Sequence, residues 1–418
     1  MSFDRVGLHP ASILLPDQNV SRETWACVAC DQYTSEPEYW NQAEQIVKDA
    51  PSALRLILPE CFLKDSDTLI PRIHQTMSRY LEQKILVPAV KNGFILCERT
   101  IASGVRTGLV GAVDLEQYSF EAGSLSLVRP TEQTIASRLP ARLAIRRNAP
   151  LELTHIMILI DDPDKTVIEP IRNQKASLSR LYDFDLMLGG GHLTGYAVDQ
   201  PDHLNALDHA LNALLDRMGP NPLFLAVGDG NHSLATAKAY WEEIKPNLSP
   251  SEQAVHPARF ALAEIVNIHD PALLFEPIHR IVTGTDRSLL TAEWKKYAEA
   301  RGMLLQSSGA GHSFTLISET GEETVTVIHP EGAIPCETLQ KFLDDFLAGH
   351  PSAGIDYIHG DSSLRRLASA PDTVGFLLPE IDKHTFFEDV KTLGVLPRKT
   401  FSMGEADEKR FYMEAKQI

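Results

Sequence analysis

Six consecutive residues, Gly228-Asp229-Gly230-Asn231-His232-Ser233, combine the residue types that hold an anion and move a proton. Glycine accepts positive φ and lets a ligand approach the main chain. The apolar run Leu223 to Val227 before them predicts a buried strand, and Ser233 to Ile244 after them predicts a helix. The first N–H groups of such a helix lack partners within it, and its dipole favours negative charge there. Gly228, Gly230, Asn231 and Ser233 are therefore candidate phosphate-binding residues, with Asn231 or Ser233 available to cap the helix. Asp229 is the odd member. A carboxylate beside an anion needs a metal such as Mg²⁺ to hold or a proton to move. His232 adds a group that titrates near neutrality. A tight turn capped by Asn would use several of the same residues, so spacing alone leaves both readings open.

An anion also calls for cations. Arg129, Arg138, Arg142, Arg146 and Arg147 gather in one segment of an otherwise acidic chain. On a helix starting at Pro140, Arg142 and Arg146 share a face, and guanidinium forks suit phosphate or carboxylate. The alternative is a solvated face paired with Glu132 and Glu152. Arg280 is a third candidate anion contact, with His279 beside it. Cys27-Val28-Ala29-Cys30 has the spacing of a metal or redox pair, but no second ligand pair lies at a finger-like distance. Gly189-Gly190-Gly191-His192 reads as a turn. Walker, GxGxxG, HExxH and GxSxG signatures are absent.

Several elements must position these residues. Amphipathic helices are predicted at Glu36 to Asp49, Asp67 to Gln83 and His203 to Met218, and further helices at Val167 to Leu181 and Leu339 to Ala348. Arg129 to Arg147 reads as a helix broken or restarted at Pro140. Strands are predicted at Asn92 to Thr100, Val105 to Tyr118, His155 to Ile160, His192 to Val198, Phe260 to Asn267, Pro277 to Val282 and Val374 to Leu378. Phe314 to Ser318 and Thr324 to His329 flank a Thr320-Gly321-Glu322 turn as a hairpin. The class is mixed α/β. A chain of 418 residues exceeds one core and predicts two or three domains. The expected division is a main domain over 1–284, carrying the anion-binding features, and a smaller C-terminal α+β portion over 285–418.

Charge and cysteines exclude other classes. With 39 Lys+Arg against 56 Asp+Glu, the net charge of −17 disfavours nucleic acid. Five cysteines, an odd number, make no disulfide framework, and neither a secretory start nor a membrane-length apolar run is visible. The expectation is a cytoplasmic protein with reduced thiols and no membrane partner.

GDGNHSLATAK resembles the motif of domain-of-unknown-function family 1015, whose members carry a sequence close to ADGHHRYETA after an apolar strand. VRPTE, LELTHIMILIDDP, FEPIHR and LPRKTF fit the family's order as well, from about residue 105 to about residue 400. The turn is also similar to the signature of the ParB/sulfiredoxin-like superfamily, where it binds a phosphate; that superfamily includes nucleotide switches, sulfiredoxins and free-serine kinases. The resemblance implies a ParB/sulfiredoxin-like core elaborated with further strands and helices, with Asp229, Gly230, Asn231 and His232 at the phosphate. Asn231 stands where the motif has its first His, and Ser233 where it has Arg. Losing that Arg removes a bidentate clamp, which Arg280 or the Arg142 and Arg146 pair would replace. Cys30-Asp31-Gln32-Tyr33 occupies the place of the family's PPYDV, which makes Asp31 a candidate carboxylate of the site.

The resulting expectation is a phosphoryl-handling enzyme, of kinase or phosphatase type, acting on a small metabolite. Kinship with free-serine kinases implies serine or phosphoserine, with ATP or ADP as the nucleotide. Asp229 would hold Mg²⁺ or act as base, His232 would contact the phosphate, and Asp31 would assist. The alternative is a non-catalytic nucleotide- or metabolite-binding switch. A thiol-redox protein built on Cys27 and Cys30 is a third reading.

Overall fold

The computed structural model describes residues 3–134, 139–397 and 399–418; Arg138 of the basic segment and Arg398 of LPRKTF lie outside them. The chain forms two compact units, Met1–Leu274 with Gly404–Ile418, and Phe275–Met403. The sequence reading places a single boundary at residue 284. The chain instead leaves the first unit at Leu274 and returns to it at Gly404, because Ala415–Gln417 pairs with both Ala11–Pro16 and Leu151–Leu153. Phe275–Thr283, which the boundary would assign to the first domain, pairs with Gly354–His359, Thr373–Leu377 and Phe401–Met403.

The first unit is built on a 12-stranded mixed sheet. Its main path runs Val128–Pro130, Leu225–Asp229, Met157–Ile160, Phe260–Asn267, Gly104–Asp114, Leu86–Ile101, Ala11–Pro16, Ala415–Gln417, Leu151–Leu153. Flat strands at about 4.8 Å spacing would put the last of these about 29 Å from Met157–Ile160. Yet the chain from Leu153 to Met157 reaches at most about 14 Å. The sheet therefore curls, bringing Glu152 to Leu262, whose N–H donates to its carboxylate at 2.8 Å.

Both faces of this sheet are covered, and side chains alternate between them. Leu109, Val113, Phe94 and Leu96 turn to one core, with Leu204, Leu207, Leu211 and Leu214 of the helix Pro201–Arg217. Val110, Ala112, Ile95 and Cys97 turn to the other, with Trp40 and Ala43 of Pro37–Val47 and Met77 of Ser66–Glu82. The leucine spacing of three and four residues is what gives a helix one apolar stripe. The expected mixed α/β class stands. No helix among the described residues is long and apolar enough to cross a membrane.

Two local expectations change. Arg129 lies on a strand, Val128–Pro130, and the helix after it runs Leu139–Arg146. Pairing with Leu225–Val227 overrides local helical periodicity, and Pro130 is tolerated because the strand ends the sheet path. The helix expected over Val167 to Leu181 stops at Asn173, and Ser179–Asp185 becomes a strand paired with His192–Val198.

The second unit, Phe275–Met403, carries a 7-stranded sheet. The predicted hairpin is there as Gly311–Ser318 and Gly321–Ile328. Trp294 of the helix Arg287–Ala300 stacks on Phe342 of Pro335–Gly349 at 5.1 Å, centring an aromatic core with Phe314 and Phe376.

Candidate functional site

The strand Leu225–Asp229 changes register against Met157–Ile160 between Val227 and Asp229, so Gly228 is the extra residue of a bulge. A bulge re-aims the residue that follows it, here Asp229. Gly230 then takes φ +77 and ψ 26 and serves as N-cap of the helix Asn231–Ile244 without any side-chain cap. A Cβ at Gly230 would stand 3.0 Å from Ile156 Cα as well as straining the backbone. The expected Asn231 or Ser233 cap is thus replaced by glycine. Asn231 is used differently. Its buried amide accepts the Thr131 N–H at 3.2 Å and donates to the Val227 carbonyl at 3.3 Å. That ties the Val128–Pro130 strand to the turn.

Asp229 accepts the Gly230 N–H at 2.8 Å on Oδ1, and Lys409 Nζ lies 3.3 Å from its Oδ2. Next to it, His155 is buried just before the strand Met157–Ile160. Its Nε2 lies 3.2 Å from Ser233 Oγ and 3.8 Å from Asp31 Oδ2, and its Nδ1 is 2.6 Å from the Tyr412 hydroxyl. Burial, with Cys30 and Asp31 nearby, pushes the Tyr412 phenol well above its ordinary range. The Cys30 N–H donates to the Tyr412 oxygen at 3.3 Å, so the phenol bridges the Cys30 backbone and the His155 ring. His155 Nε2 faces Ser233 and Asp31. Burial raises Asp31, yet His155, the Gln32 amide and Lys409 outweigh it and hold the carboxyl below its usual value.

A cavity of about 140 Å³ opens beside this group, lined by His155, Ser233, Tyr412, Cys30, Arg142 and Arg146 among others. The structure therefore brings Arg142, Arg146 and Ser233 together and sets Asp31 against His155. Neither arginine is an open clamp, however. Arg142 pairs with Glu60, and Arg146 pairs with Glu152 at 2.5 Å. Glu152 is itself buried, with Lys416 at 3.3 Å. Arg147 grips Glu243 through Nε and Nη2 at the surface. His232 is half-buried in the first helical turn, its carbonyl accepting Thr236 Oγ1 at 2.7 Å. Arg280 belongs to the other unit, where it is 0% exposed. There it donates to the carbonyls of Ile278 and Lys399 and lies 3.1 Å from Cys336 Sγ.

Sequence reasoning missed Lys409, Tyr412, Arg410 and His155 as site residues. All four are at least nine-tenths buried. The visible signal was a basic pair inside an aromatic segment, Lys409-Arg410-Phe411-Tyr412, and the polar Thr154-His155 before an apolar run. Buried guanidinia hold this returning segment in place. Arg99 donates to the carbonyls of Gly190, Asp407 and Lys409, and Arg106, directly opposite on the next strand, donates to that of Glu408. Burial and Arg106 together pull Arg99 down to about 9. Arg410 is gripped by Glu264 at 2.8 Å and Glu414 at 2.6 Å. Glycine at 108 leaves room for the Glu264 carboxylate, where a Cβ would collide with it.

Two expectations lack support from this geometry. Burial pushes the Cys30 thiol up to about 12 and Cys27 higher, so neither is poised as a thiolate. No group of three or more metal-ligating side chains surrounds Asp229 or any other point among the described residues.

Residues 11–346 match a family described as "Protein of unknown function (DUF1015)". The chain belongs to this family. The DUF1015 match takes in Asp31, His155 and the Gly228–Ser233 turn, and ends before Lys409 and Tyr412. No curated protein matches the chain. Among solved structures, a free serine kinase variant in complex with AMP is 13% identical, with TM-score 0.39, over 69% of this chain and 88% of that one. A conserved hypothetical protein from Pyrococcus furiosus is 12% identical, with TM-score 0.34, over 70% and 92%. C-terminally truncated SbnI from Staphylococcus aureus is 8% identical, with TM-score 0.35, over 71% and 82%.

Proposed function

We propose that this DUF1015 protein handles a phosphoryl group on a small metabolite, as a kinase or phosphatase, at the Gly228–Ser233 turn. The turn is taken as a phosphate turn of the ParB/sulfiredoxin-like kind. One observation carries the reading: Asp229 stands at the start of a helix with Lys409 Nζ 3.3 Å from its carboxylate. An acid alone there would repel phosphate, and the lysine supplies the missing positive charge. Its charge also acts on Asp31, so it serves both carboxylates.

Phosphoryl transfer is mostly positioning and charge stabilisation, and it needs few groups. In this reading the Asn231 N–H, His232 and Lys409 receive phosphoryl oxygens, the Gly230 and Ser233 N–H groups being taken by Asp229 Oδ1 and the Gly230 carbonyl. Asp229 or His155 moves the proton of the attacking hydroxyl or water, and Asp31 orients His155. General acid–base catalysis requires such a group within hydrogen-bond reach of the reacting oxygen. Asp229 is also the residue that would take Mg²⁺ carried in by a nucleotide, whose charge would screen the phosphates. Serine or phosphoserine, with ATP or ADP, are the reactants the superfamily resemblance implies.

The test is to incubate the protein with ATP and serine, and separately with O-phosphoserine, and to measure phosphoserine formation and phosphate release. Turnover by the wild type that Asp229→Asn abolishes supports the reading. Stabilisation by these ligands without turnover would favour the binding switch, and neither response would contradict both.

A further inference from the structure

Arg129 lies in the strand Val128–Pro130, level with Ala226 of the parallel neighbour that leads into Gly228 and Asp229. It is 4% exposed. Among the described residues its guanidinium makes one long bond, from Nη1 to the Ser124 carbonyl at 3.4 Å, while buried Nε and Nη2 have no hydrogen-bond partner. Burial alone lowers its pKa, with no acid acting in the other direction. Arg106 and Arg146 of the same unit each leave only Nε open, and two other buried arginines are held throughout. Arg410 is held by Glu264 and Glu414, and Arg99 by three carbonyls.

The two open nitrogens form the side-on fork of the guanidinium. With that same edge Arg259 grips Asp114 at 2.8 and 2.6 Å, and Arg147 grips Glu243 at 2.9 and 2.7 Å. A planar fork of this kind matches two oxygens of a carboxylate or phosphate. A buried cation left without a partner is costly, so its retention points to an anion that arrives. The position is fixed relative to the turn. Two residues on, Thr131 donates Oγ1 to the Val227 carbonyl at 2.7 Å and its N–H to Asn231.

We propose that Arg129 is the guanidinium clamp of the anion site, its Nε–Nη2 edge taking two oxygens of a phosphoryl group bound at the Gly228–Ser233 turn. This rests on the phosphoryl reading above and adds the contact that Ser233 cannot supply. Arg142 and Arg146, committed to Glu60 and Glu152, do not fill that part.

Melting curves at matched ionic strength, without ligand and with inorganic phosphate, ADP or O-phosphoserine, test it on the full chain. Removing an unpaired buried cation leaves Arg129→Met at least as heat-stable as wild type without ligand, and its phosphate-dependent rise in Tm disappears. Arg129→Lys keeps the charge without the fork and binds about tenfold more weakly or worse. A full ligand response in Arg129→Met overturns the proposal. If that variant does not fold, unchanged affinity in Arg129→Lys overturns it instead. Gly230→Ala separates the two readings: response lost there but kept in Arg129→Met leaves the turn standing without Arg129. A wild type that answers none of the three ligands sinks both. Response to ADP alone names a nucleotide as the source of the phosphoryl group, and response to O-phosphoserine alone names a small metabolite.

Discussion

Lys409 Nζ sits 3.3 Å from Asp229 Oδ2, so the segment that returns after the second unit completes a turn formed long before it in the chain. Both side chains are largely shielded from water, which strengthens their attraction and raises the cost of losing either one. Lys409→Met should weaken phosphate affinity and lower unfolding free energy by about 1–3 kcal/mol. Combined with Asp229→Asn, the stability losses should fall short of additive, with a coupling of about 0.5–3 kcal/mol. Urea denaturation of both single variants and the double variant measures this. Strict additivity would dissolve the pair.

In the proposed function His155 carries a proton, and the Tyr412 hydroxyl at its Nδ1 orients the ring. His155→Gln should lower turnover by about 10²–10⁴-fold with the fold intact. Tyr412→Phe removes the hydrogen bond that holds the imidazole at Nδ1, so turnover should fall while stability drops by about 1 kcal/mol. Steady-state kinetics on both variants decide the matter. A full rate in His155→Gln would shift the proton transfer to Asp229.

Asp31 gives a signature in acid. Its folded pKa lies below the ordinary 3.8, so as pH falls the unfolded chain takes up the proton first. The stabilisation is complete above the ordinary value and is lost as pH drops through the folded one. Asp31→Asn should therefore flatten the acid limb of the stability curve in that window and leave the neutral region little changed in slope. Chemical denaturation between about pH 2 and pH 6 reads this out, and parallel acid limbs for the two proteins would refute the assignment.

Regular elements with a strong apolar period were legible before the structure. Pro201–Arg217 shows its leucine stripe, and Leu225–Asp229 with Asn231–Ile244 shows a buried strand, a glycine turn and a helix. Gly230 required positive φ, as its place in the turn implied. What escaped was set by distant pairing. Ala415–Gln417 has three residues and no period of its own, and only the gap between Ala11–Pro16 and Leu151–Leu153 makes it a strand. Lys409 and Tyr412 owe their place to that closure. Arg280 looked like an open cation because the sequence does not reveal that its strand is paired on both sides. Arg129 was visible as a charge but not as an unpartnered one, since that depends on which acids fold beside it.

The central claim is that the backbone of the Gly228–Ser233 turn holds a phosphoryl group, and calorimetric titration of Gly230→Ala tests it most directly. The added Cβ strains a left-handed residue and meets Ile156, at a cost of about 1–3 kcal/mol that leaves the protein folded. Titrating inorganic phosphate, O-phosphoserine and ADP into wild type and variant should give binding heat only for the wild type. A folded Gly230→Ala protein that binds any of them with wild-type affinity would contradict the account.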